Sequence, residues 1–125
     1  NAYEALLVNS KDEITEGSRS NVFFIKNNEV LTSPKGNVLI GITRVYVFEI
    51  CRDLGIEIIE KPLSVSMLRE MDGVFITGTS PKILPISTID DMSFNSARNP
   101  VIKTIMTSYN DRIEEYIKKK TVERA

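Results

Sequence analysis

Residues 15–32 read TEGSRSNVFFIKNNEVLT, and this stretch predicts a polar loop followed by a β-hairpin with a buried first strand. Its first part belongs to a polar segment from Ile14 to Asn21 that contains a glycine, which is typical of a loop. Val22 to Ile25 is a short, continuous apolar run rich in β-forming residues, so it indicates a buried strand. Lys26 to Glu29 is a turn signal, and Val30 to Thr32 then predicts the return strand of a hairpin.

Other short apolar runs on either side of this hairpin predict further strands. They are Glu4 to Val8, Ile56 to Ile59, Gly73 to Thr77, and Ile83 to Ile89 with an interruption at Pro85. Glycines, prolines and small polar residues separate the runs, as expected for loops. We therefore expect a mixed α/β domain with several strands and about three helices.

Three segments have helical signals. The first begins near Thr43, because apolar residues recur at helical spacing from Val47 to Leu54 and Gly55 stands where a C-terminal cap belongs. The second is short, Ser64 to Glu70, with Ser64 as its candidate cap. The third follows Asn99-Pro100, and we expect it to pack on its own domain, with a partner-binding surface as the alternative. Its apolar stripe comprises Ile102, Ile105, Tyr109, Ile113 and Tyr116.

The composition is that of an ordinary globular domain. The length of 125 residues suits one domain with a core, 42% of the residues are hydrophobic, and the formal net charge is −1. No basic stripe could neutralise a run of phosphates, and no apolar run approaches the span of a bilayer. Nucleic acid and membrane are therefore not expected as partners. The Lys118–Lys120 run predicts a solvated helix end.

The residue types exclude several kinds of chemistry. The chain has no histidine, so it contains no Ser-His-Asp or Cys-His nucleophile and no histidine metal site. Its single cysteine, Cys51, falls within an apolar helical pattern and is expected to behave as a small hydrophobe. One thiol and no N-glycosylation sequon favour a cytoplasmic location. Chemistry must then come from lysines, carboxylates, tyrosines, backbone amides or a cofactor.

Three polar breaks, residues 15–21, 39–44 and 77–80, stand next to predicted strands or helices. The second opens a helix after Gly41, and a helix start offers unpaired N–H groups and a positive dipole end to an anion. The third adds backbone amides and hydroxyl donors at the end of a strand. Taken alone, each break is more typical of a cap or a turn, and Glu16 alone is typical of a solvated turn.

Taken together, the three breaks resemble the pattern of a known family. The order T-E-G-S-x-S-N-x-F, then L-x-G-I-T-R at a helix start, then F-I-T-G-T-S resembles the class IV aminotransferases. These are fold type IV enzymes that use pyridoxal 5'-phosphate (PLP), and they include the branched-chain and D-amino-acid aminotransferases and aminodeoxychorismate lyase. The resemblance runs from about Glu4 to Asp90, and it implies the large-domain fold of that family, a mixed sheet or pseudo-barrel.

The resemblance also implies roles for individual residues. Glu16 matches the glutamate that pairs with the pyridine nitrogen of PLP and keeps it protonated. Ile42 and Thr43 match the positions whose amides, with the threonine hydroxyl, hold the phosphate. Thr79 matches a second phosphate ligand, and Thr79 and Ser80 match the region that meets the substrate carboxylate. The other cofactor-side residues that the resemblance implies are Ser20, Asn21, Leu39 against the ring, Gly41 and Gly78.

The family's Schiff-base lysine has no match in this chain. The resemblance places that lysine before residue 1, and a phosphate-binding arginine earlier still, in a smaller N-terminal domain. We therefore expect residues 1–125 to be a single domain, the C-terminal cofactor-binding half of a class IV aminotransferase, with no catalytic residue and no activity of its own. The lysines expected at surface positions instead are Lys11, Lys26, Lys35, Lys61 and Lys82.

For the full-length protein, the resemblance implies a homodimer that transfers an amino group from an amino acid to a 2-oxo acid. Aminodeoxychorismate lyase is the alternative within the family, although Gly41–Arg44 and Gly78–Ser80 look more like a transaminase. A non-catalytic domain that kept the fold is a further alternative. Arg19-Ser20 is not the glycine-acid pair associated with branched-chain enzymes, so the substrate side chain stays open.

Overall fold

The computed structural model describes residues 6–8, 12–17, 20–34, 42–78 and 83–124. Its strands within these ranges are β1 (Leu6–Val8), β2 (Glu13–Gly17), β3 (Ser20–Lys26), β4 (Glu29–Thr32), β5 (Ile58–Glu60), β6 (Leu63–Ser64), β7 (Gly73–Gly78), β8 (Ile83–Pro85), β9 (Thr88–Ile89) and β10 (Met92–Ser93). Its helices are α1 (Ile42–Leu54), α2 (Pro100–Arg124) and the 3-10 segments Val65–Glu70 and Ser96–Arg98.

The predicted hairpin forms the middle of the sheet. β3 and β4 pair antiparallel over residues 23–26 and 29–32. Asn27 and Asn28 connect them with φ angles of 52° and 65°, the left-handed conformation that a two-residue hairpin turn requires and asparagine tolerates. β7 pairs antiparallel with the other edge of β3 along its whole length. β3 is therefore a central strand, and the predicted burial of Val22 to Ile25 is confirmed.

The strands close into a barrel-like ring. β2 pairs with β3 at Gly17 and Ser20, and it pairs with β6 at Ile14 and Leu63. β4 pairs with β5 in parallel. Since only Lys61–Pro62 separates β5 from β6, the pairings of β2, β3, β4 and the β5–β6 segment form a closed circuit. The expectation of a mixed sheet that forms a pseudo-barrel is confirmed.

The sheet separates two apolar cores, because alternate residues of a strand point to opposite faces. On one face, Phe23, Ile25 and Phe75 pack under α1 and α2, and the rings of Phe23 and Phe75 stack with centroids 4.9 Å apart. The other face forms the interior of the ring. Its buried side chains are Ile14, Val22, Phe24, Leu31, Leu63, Leu68, Met71, Val74, Ile76 and Phe94.

Local hydrogen bonds stop α1 at its C-terminus and cap α2 at its N-terminus. Gly55 adopts a φ of 72°, and the N–H of Ile56 donates to the carbonyl of Cys51 at 2.8 Å, so the predicted cap of α1 is confirmed. At the start of α2, the side-chain oxygen of Asn99 accepts from the N–H groups of Val101 at 3.0 Å and Ile102 at 3.2 Å. These bonds satisfy two amides that the first turn leaves unpaired.

α2 packs on its own domain against α1. Ile102, Ile105 and Tyr109 of the predicted stripe are buried in the core beneath the helices, whereas the side chain of Tyr116 lies outside the described side chains. Arg112 of α2 forms ion pairs with Glu49 and Asp53 of α1. Neither described α-helix combines the length and the apolar sequence that crossing a membrane would need.

Three of the sequence predictions are wrong. The described residues of the segment from Ile14 to Asn21 form strands and not a loop, because β2 extends to Gly17 and β3 begins at Ser20. Pairing with β1, β3 and β6 holds β2 in the sheet, and such backbone hydrogen bonds do not need an apolar sequence. Ser64 makes no side-chain cap, since its hydroxyl bonds that of Ser66.

The third error concerns the segment from Ile83 to Ile89, which is not one interrupted strand. β8 ends at Pro85, and β9 pairs with β10 in a separate two-stranded sheet. At Ile86, just after β8, the N–H still donates to the Val74 carbonyl at 2.8 Å, whereas the Ile86 carbonyl accepts from the buried hydroxyl of Ser96 at 2.5 Å. The Ser96 hydroxyl also accepts from the N–H of Val74, so it bridges the Val74 N–H and the Ile86 carbonyl in place of one direct backbone bond.

Candidate functional site

Three strands that carry predicted site residues meet at one end of the sheet. Gly17 of β2, directly after Glu16, pairs with Ser20 of β3, and Ser20 pairs in turn with Gly78 of β7. The next pair in that ladder is Asn21 with Thr77. The first and third polar breaks of the sequence are therefore neighbours, although they lie far apart along the chain.

Helix α1, whose first turn belongs to the second polar break, begins at this same end of the sheet. Arg44 in its first turn donates from Nη1 to the Thr32 hydroxyl at 3.1 Å and from Nη2 to the Ser33 carbonyl at 2.9 Å, at the end of β4. Just past the other end of α1, the carbonyl of Glu57 accepts from the N–H of Val30 at the start of β4. α1 therefore runs along the β3–β4 hairpin, and its N-terminus lies where β3 begins and β7 ends.

Arg44 is a cation buried under the first turn of α1. Its side chain is 4% exposed, and its guanidinium carbon lies 5.7 Å from the ring centroid of Phe23 and 5.0 Å from that of Phe48. Burial lowers the pKa of Arg44, and the Glu60 carboxylate, 3.8 Å from Nη2, raises it in part. Because arginine titrates far above neutral pH, the guanidinium keeps its charge.

The acceptors of Arg44 are themselves bonded to neighbouring strands. The Thr32 hydroxyl donates to the carbonyl of Val22 in β3 at 2.9 Å. The Ser33 hydroxyl donates to the carbonyl of Ile14 in β2, the strand that carries Glu16. A continuous series of polar contacts therefore joins the start of α1 to the strand of Glu16.

Thr77, directly before Gly78, has a buried hydroxyl without a partner. The residue is 2% exposed, and its Oγ1 is the one buried side-chain polar atom, among the residues that the structure describes, that lacks a hydrogen-bond partner. Its cross-strand neighbour Asn21 is also buried. Thr77 and Asn21 lie two residues from Phe75 and Phe23 along their strands, so both share the face that α1 covers.

The predicted site residues divide into two groups. Those with a described backbone position at this end of the sheet are Glu16, Ser20, Asn21, Ile42, Thr43 and Gly78. Of these, Asn21 and Thr43 have buried side chains. The predictions for Leu39, Gly41, Thr79 and Ser80 lie outside the described residues.

The sequence patterns had assigned no role to Arg44 or Thr77, although both stand within the quoted motifs. A signal for Arg44 is its helical spacing from Val47 and Cys51, which places it on the buried face of α1. A signal for Thr77 is its two-residue spacing from Phe75 in a strand. Neither signal identifies the partners of these side chains, which come from other elements.

The other reactive groups that the structure describes do not form a second site. Cys51 is buried and burial raises the pKa of its thiol to about 12, so it behaves as the predicted hydrophobe. Lys26 pairs with Glu70 at 3.1 Å, and Lys61 is exposed, as expected for surface lysines. Among the described residues, no group of three or more His, Cys, Asp or Glu side chains could hold a metal ion. The predictions for Lys11, Lys35 and Lys82 lie outside the described residues.

An open groove of about 470 Å³ lies at the opposite end of the sheet. Asn28 of the hairpin turn, Leu54 at the end of α1 and Pro100 at the start of α2 are among its lining residues. The groove is therefore separated from the polar strand ends by the length of α1.

Sequence comparison identifies relatives of this chain. Residues 1–89 match the family described as Amino-transferase class IV. A probable branched-chain-amino-acid aminotransferase of Aquifex aeolicus is 35% identical over 93% of this chain and 38% of its own length. The D-alanine aminotransferase of Bacillus licheniformis is 34% identical over 90% of this chain and 40% of its own length.

The solved structures with a similar fold include an aminotransferase and a candidate lyase. The branched-chain amino acid aminotransferase of Thermobaculum terrenum in its PLP form has a TM-score of 0.82 at 28% identity, over 88% of this chain and 37% of that one. A candidate 4-amino-4-deoxychorismate lyase from Legionella pneumophila has a TM-score of 0.81 at 27% identity, over 86% of this chain and 40% of that one.

The matched region covers most of this chain and a smaller part of its relatives. The chain spans about two fifths of the length of the two curated relatives named above. The family match includes all three polar breaks, and the described parts of these breaks lie at one end of the sheet. This chain therefore belongs to the class IV aminotransferase family.

Proposed function

We propose that this chain is the cofactor-binding part of a PLP-dependent aminotransferase, which moves an amino group between an amino acid and a 2-oxo acid. The observation that carries the proposal is the pairing of Gly17 with Ser20, and of Ser20 with Gly78, at the end of the sheet where α1 begins. This pairing gathers the backbone beside Glu16 and two anion-binding segments in one place. The aminotransferase relatives and the PLP-form neighbour support the same reaction.

The described residues suit a phosphorylated ligand. α1 has 13 residues, so its first turn presents unpaired N–H groups and the positive end of a full helix dipole. Arg44 adds a buried positive charge in that turn, and Thr77 supplies a buried hydroxyl that needs an acceptor. In this proposal, Ile42 and Thr43 hold the phosphate through their amides and the Thr43 hydroxyl.

The cofactor and the chain contribute differently to the chemistry. Bound PLP supplies a ring that withdraws electrons from the α-carbon of the substrate. The proposed role of Glu16 is to hold a proton at the pyridine nitrogen, because a nearby carboxylate favours the charged form of that nitrogen. Leu39 is proposed to pack against the ring. Gly41 and Gly78 would let the cofactor approach the backbone, since glycine has no Cβ.

The remaining proposed contacts concern the substrate side of the site. Thr79 is proposed as a second phosphate ligand and, with Ser80, as a contact of the substrate carboxylate. Ser20 and Asn21 are proposed to line the cofactor at the strand ends, where their backbones pair with β7. Hydroxyls and amides suit both roles, because each can donate to an anionic oxygen.

The proposal includes the organisation of the full-length protein. In this proposal, residues 1–125 form its cofactor-binding domain. The lysine that carries PLP and a smaller N-terminal domain belong to other parts of the full-length sequence. The domain alone is then expected to have no transaminase activity, because the lysine that would hold the cofactor covalently is proposed to lie outside residues 1–125. We further propose that the full-length protein is a cytoplasmic homodimer whose substrates are small amino and 2-oxo acids.

The test is a transaminase assay of the full-length gene product with PLP, a panel of amino donors and a panel of 2-oxo acids. We expect amino transfer, together with an absorbance band from PLP held on a lysine. Glu16→Gln should lower turnover by about tenfold or more, since an amide cannot hold the ring proton as a carboxylate does. The matched control is Glu57→Gln, an exposed residue just past the far end of α1, which should leave turnover unchanged. Equal turnover of Glu16→Gln and the wild type would contradict the role of Glu16.

A second candidate function is the lyase reaction, which the Legionella neighbour supports. The full-length protein would then release pyruvate from aminodeoxychorismate without passing an amino group to a 2-oxo acid. A third candidate is a natural domain of this length that kept the fold without catalysis. The intact mass of the native product and its PLP content separate this candidate from the other two.

A further inference from the structure

We infer that the Thr77 hydroxyl is an additional hydrogen-bond donor to the phosphate group bound at the start of α1. The inference rests on the proposed function, and it assigns a contact to a residue outside the predicted ligand set. Thr77 is 2% exposed, and its Oγ1 has no hydrogen-bond partner among the residues that the structure describes. A buried hydroxyl that gives up water without a replacement bond is destabilising, so such atoms usually have a specific reason to persist.

Other buried hydroxyls in the described residues show what Thr77 lacks. The Thr32 hydroxyl donates to the Val22 carbonyl and accepts from Arg44. The Ser96 hydroxyl donates to the Ile86 carbonyl and accepts from the N–H of Val74. Both are fully used within the protein, whereas the Thr77 hydroxyl keeps its donor available for a ligand.

The position of Thr77 in its strand directs this donor towards the start of α1. Phe75, two residues earlier on the same face, stacks on Phe23, and the Phe23 ring in turn contacts Phe48 of α1 and the Arg44 guanidinium. Thr77 lies one step further along this face, towards the end of β7. It is therefore on the helix side of the sheet, at the end where α1 begins.

The neighbouring charges favour an anionic acceptor. The start of α1 is the positive end of its dipole, and Arg44 is a buried cation in the first turn. Two guanidinium nitrogens of Arg44 already donate to Thr32 and Ser33, so Arg44 supplies charge while these two bonds hold it at β4. A phosphate monoester, with several acceptor oxygens, fits a set of backbone amides and one further hydroxyl.

The test compares Thr77→Val and Thr77→Ser in the full-length protein freed of cofactor. Valine has nearly the shape of threonine and suits a strand, so it removes the hydroxyl and little else. Without ligand, we expect Thr77→Val to unfold at the same urea concentration as the wild type or a higher one, because the hydroxyl has no partner to lose. With PLP, we expect its Kd from equilibrium dialysis to rise about tenfold to a hundredfold, the effect of losing one bond to a charged acceptor.

Pyridoxal, which lacks the phosphate, serves as the second probe. Its Kd should be the same for Thr77→Val and the wild type, and Thr77→Ser should retain most of the affinity for PLP. Inorganic phosphate should compete with PLP more weakly in Thr77→Val than in the wild type. The matched control is Thr104→Val on α2, whose hydroxyl bonds the Pro100 carbonyl at the other end of the molecule. This control should leave the affinity for PLP unchanged.

Two results would overturn the inference alone. One is an unchanged Kd for PLP in Thr77→Val, and the other is a clear loss of ligand-free stability, which would show that the hydroxyl serves the protein itself. A wild-type protein that does not bind PLP would instead overturn the proposed function, and with it this inference.

Discussion

Replacing Arg44 with methionine tests whether the buried cation holds the start of α1 to the sheet. The two hydrogen bonds to Thr32 and Ser33 come from a charged donor, and bonds of this kind contribute about 1.5–3 kcal/mol each. The summed contribution of the two bonds is reduced because burial disfavours the charge of Arg44, as its lowered pKa indicates. Methionine removes this desolvation cost and fills much of the space of the arginine side chain. A net loss of about 2–4 kcal/mol in the free energy of unfolding is therefore expected.

Urea unfolding followed by far-UV circular dichroism measures this loss. Arg44→Lys should cost about half as much, because a lysine keeps the charge but cannot place two fixed donors on both acceptors. The control is Arg52→Met on the same helix, where the side chain is exposed and the change should stay within about 0.5 kcal/mol. If the free energy of unfolding of Arg44→Met equals or exceeds that of the wild type, the reasoning is refuted. Such a result would show that the desolvation cost of the guanidinium outweighs its hydrogen bonds.

The remaining predictions concern packing, capping and pH. Gly73→Ala should lower the free energy of unfolding by about 1–3 kcal/mol, since the new Cβ would lie 2.9 Å from Cδ1 of Ile102; unchanged thermal stability would show that α2 moves aside freely. Asn99→Ala should cost about 1 kcal/mol by removing the cap of α2, and Asn99→Ser should restore most of it in the same assay. The folded state keeps the Cys51 proton up to about pH 12 while the unfolded chain releases it above pH 9.0, so stability is lost as pH rises through this window. Urea midpoints at about pH 8 and about pH 10.5 should differ less in Cys51→Ala than in the wild type, and equal differences would contradict the assignment.

The polar network around Arg44 connects this residue to the proposed PLP site, so its replacement should also affect PLP binding. Ser33 accepts from Arg44 through its carbonyl and donates through its hydroxyl to Ile14, in the strand of Glu16. The helix start proposed to hold the phosphate and the strand proposed to hold the ring nitrogen are thus joined by side chains of the domain itself. Arg44→Met should therefore weaken PLP binding even at temperatures where the protein remains folded.

The local sequence was sufficient to predict those elements that depend only on residues close together in the chain. The apolar run from Val22 to Ile25 forms the central strand, and Asn27 and Asn28 form the turn that follows it. Gly55 ends α1 because a positive φ is needed at that single position. Each of these features depends on residues close together in the chain, which is why composition and spacing predict them.

Local sequence failed where pairing with distant segments decides the conformation. The segment around Thr15 to Gly17 is polar, yet it is a strand because β1, β3 and β6 supply its backbone partners. The break at Pro85 separates two strands of different sheets rather than interrupting one. In the first case, hydrogen bonds to distant segments override the preference of the local residues. In the second case, β9 pairs with β10 directly after it, across Asp90 and Asp91, instead of continuing β8.

The sequence by itself determined the class of domain, the central hairpin, both α-helices and the motifs that identify the family. Only the tertiary structure decided that the strand of Glu16, the end of β7 and the start of α1 share one end of the sheet. It also decided that Arg44 is buried beside two aromatic rings, and that the Thr77 hydroxyl has no partner in the part of the chain that the structure describes. The physical reason is that burial and hydrogen bonding depend on which distant segments come into contact, and one-dimensional spacing does not carry that information.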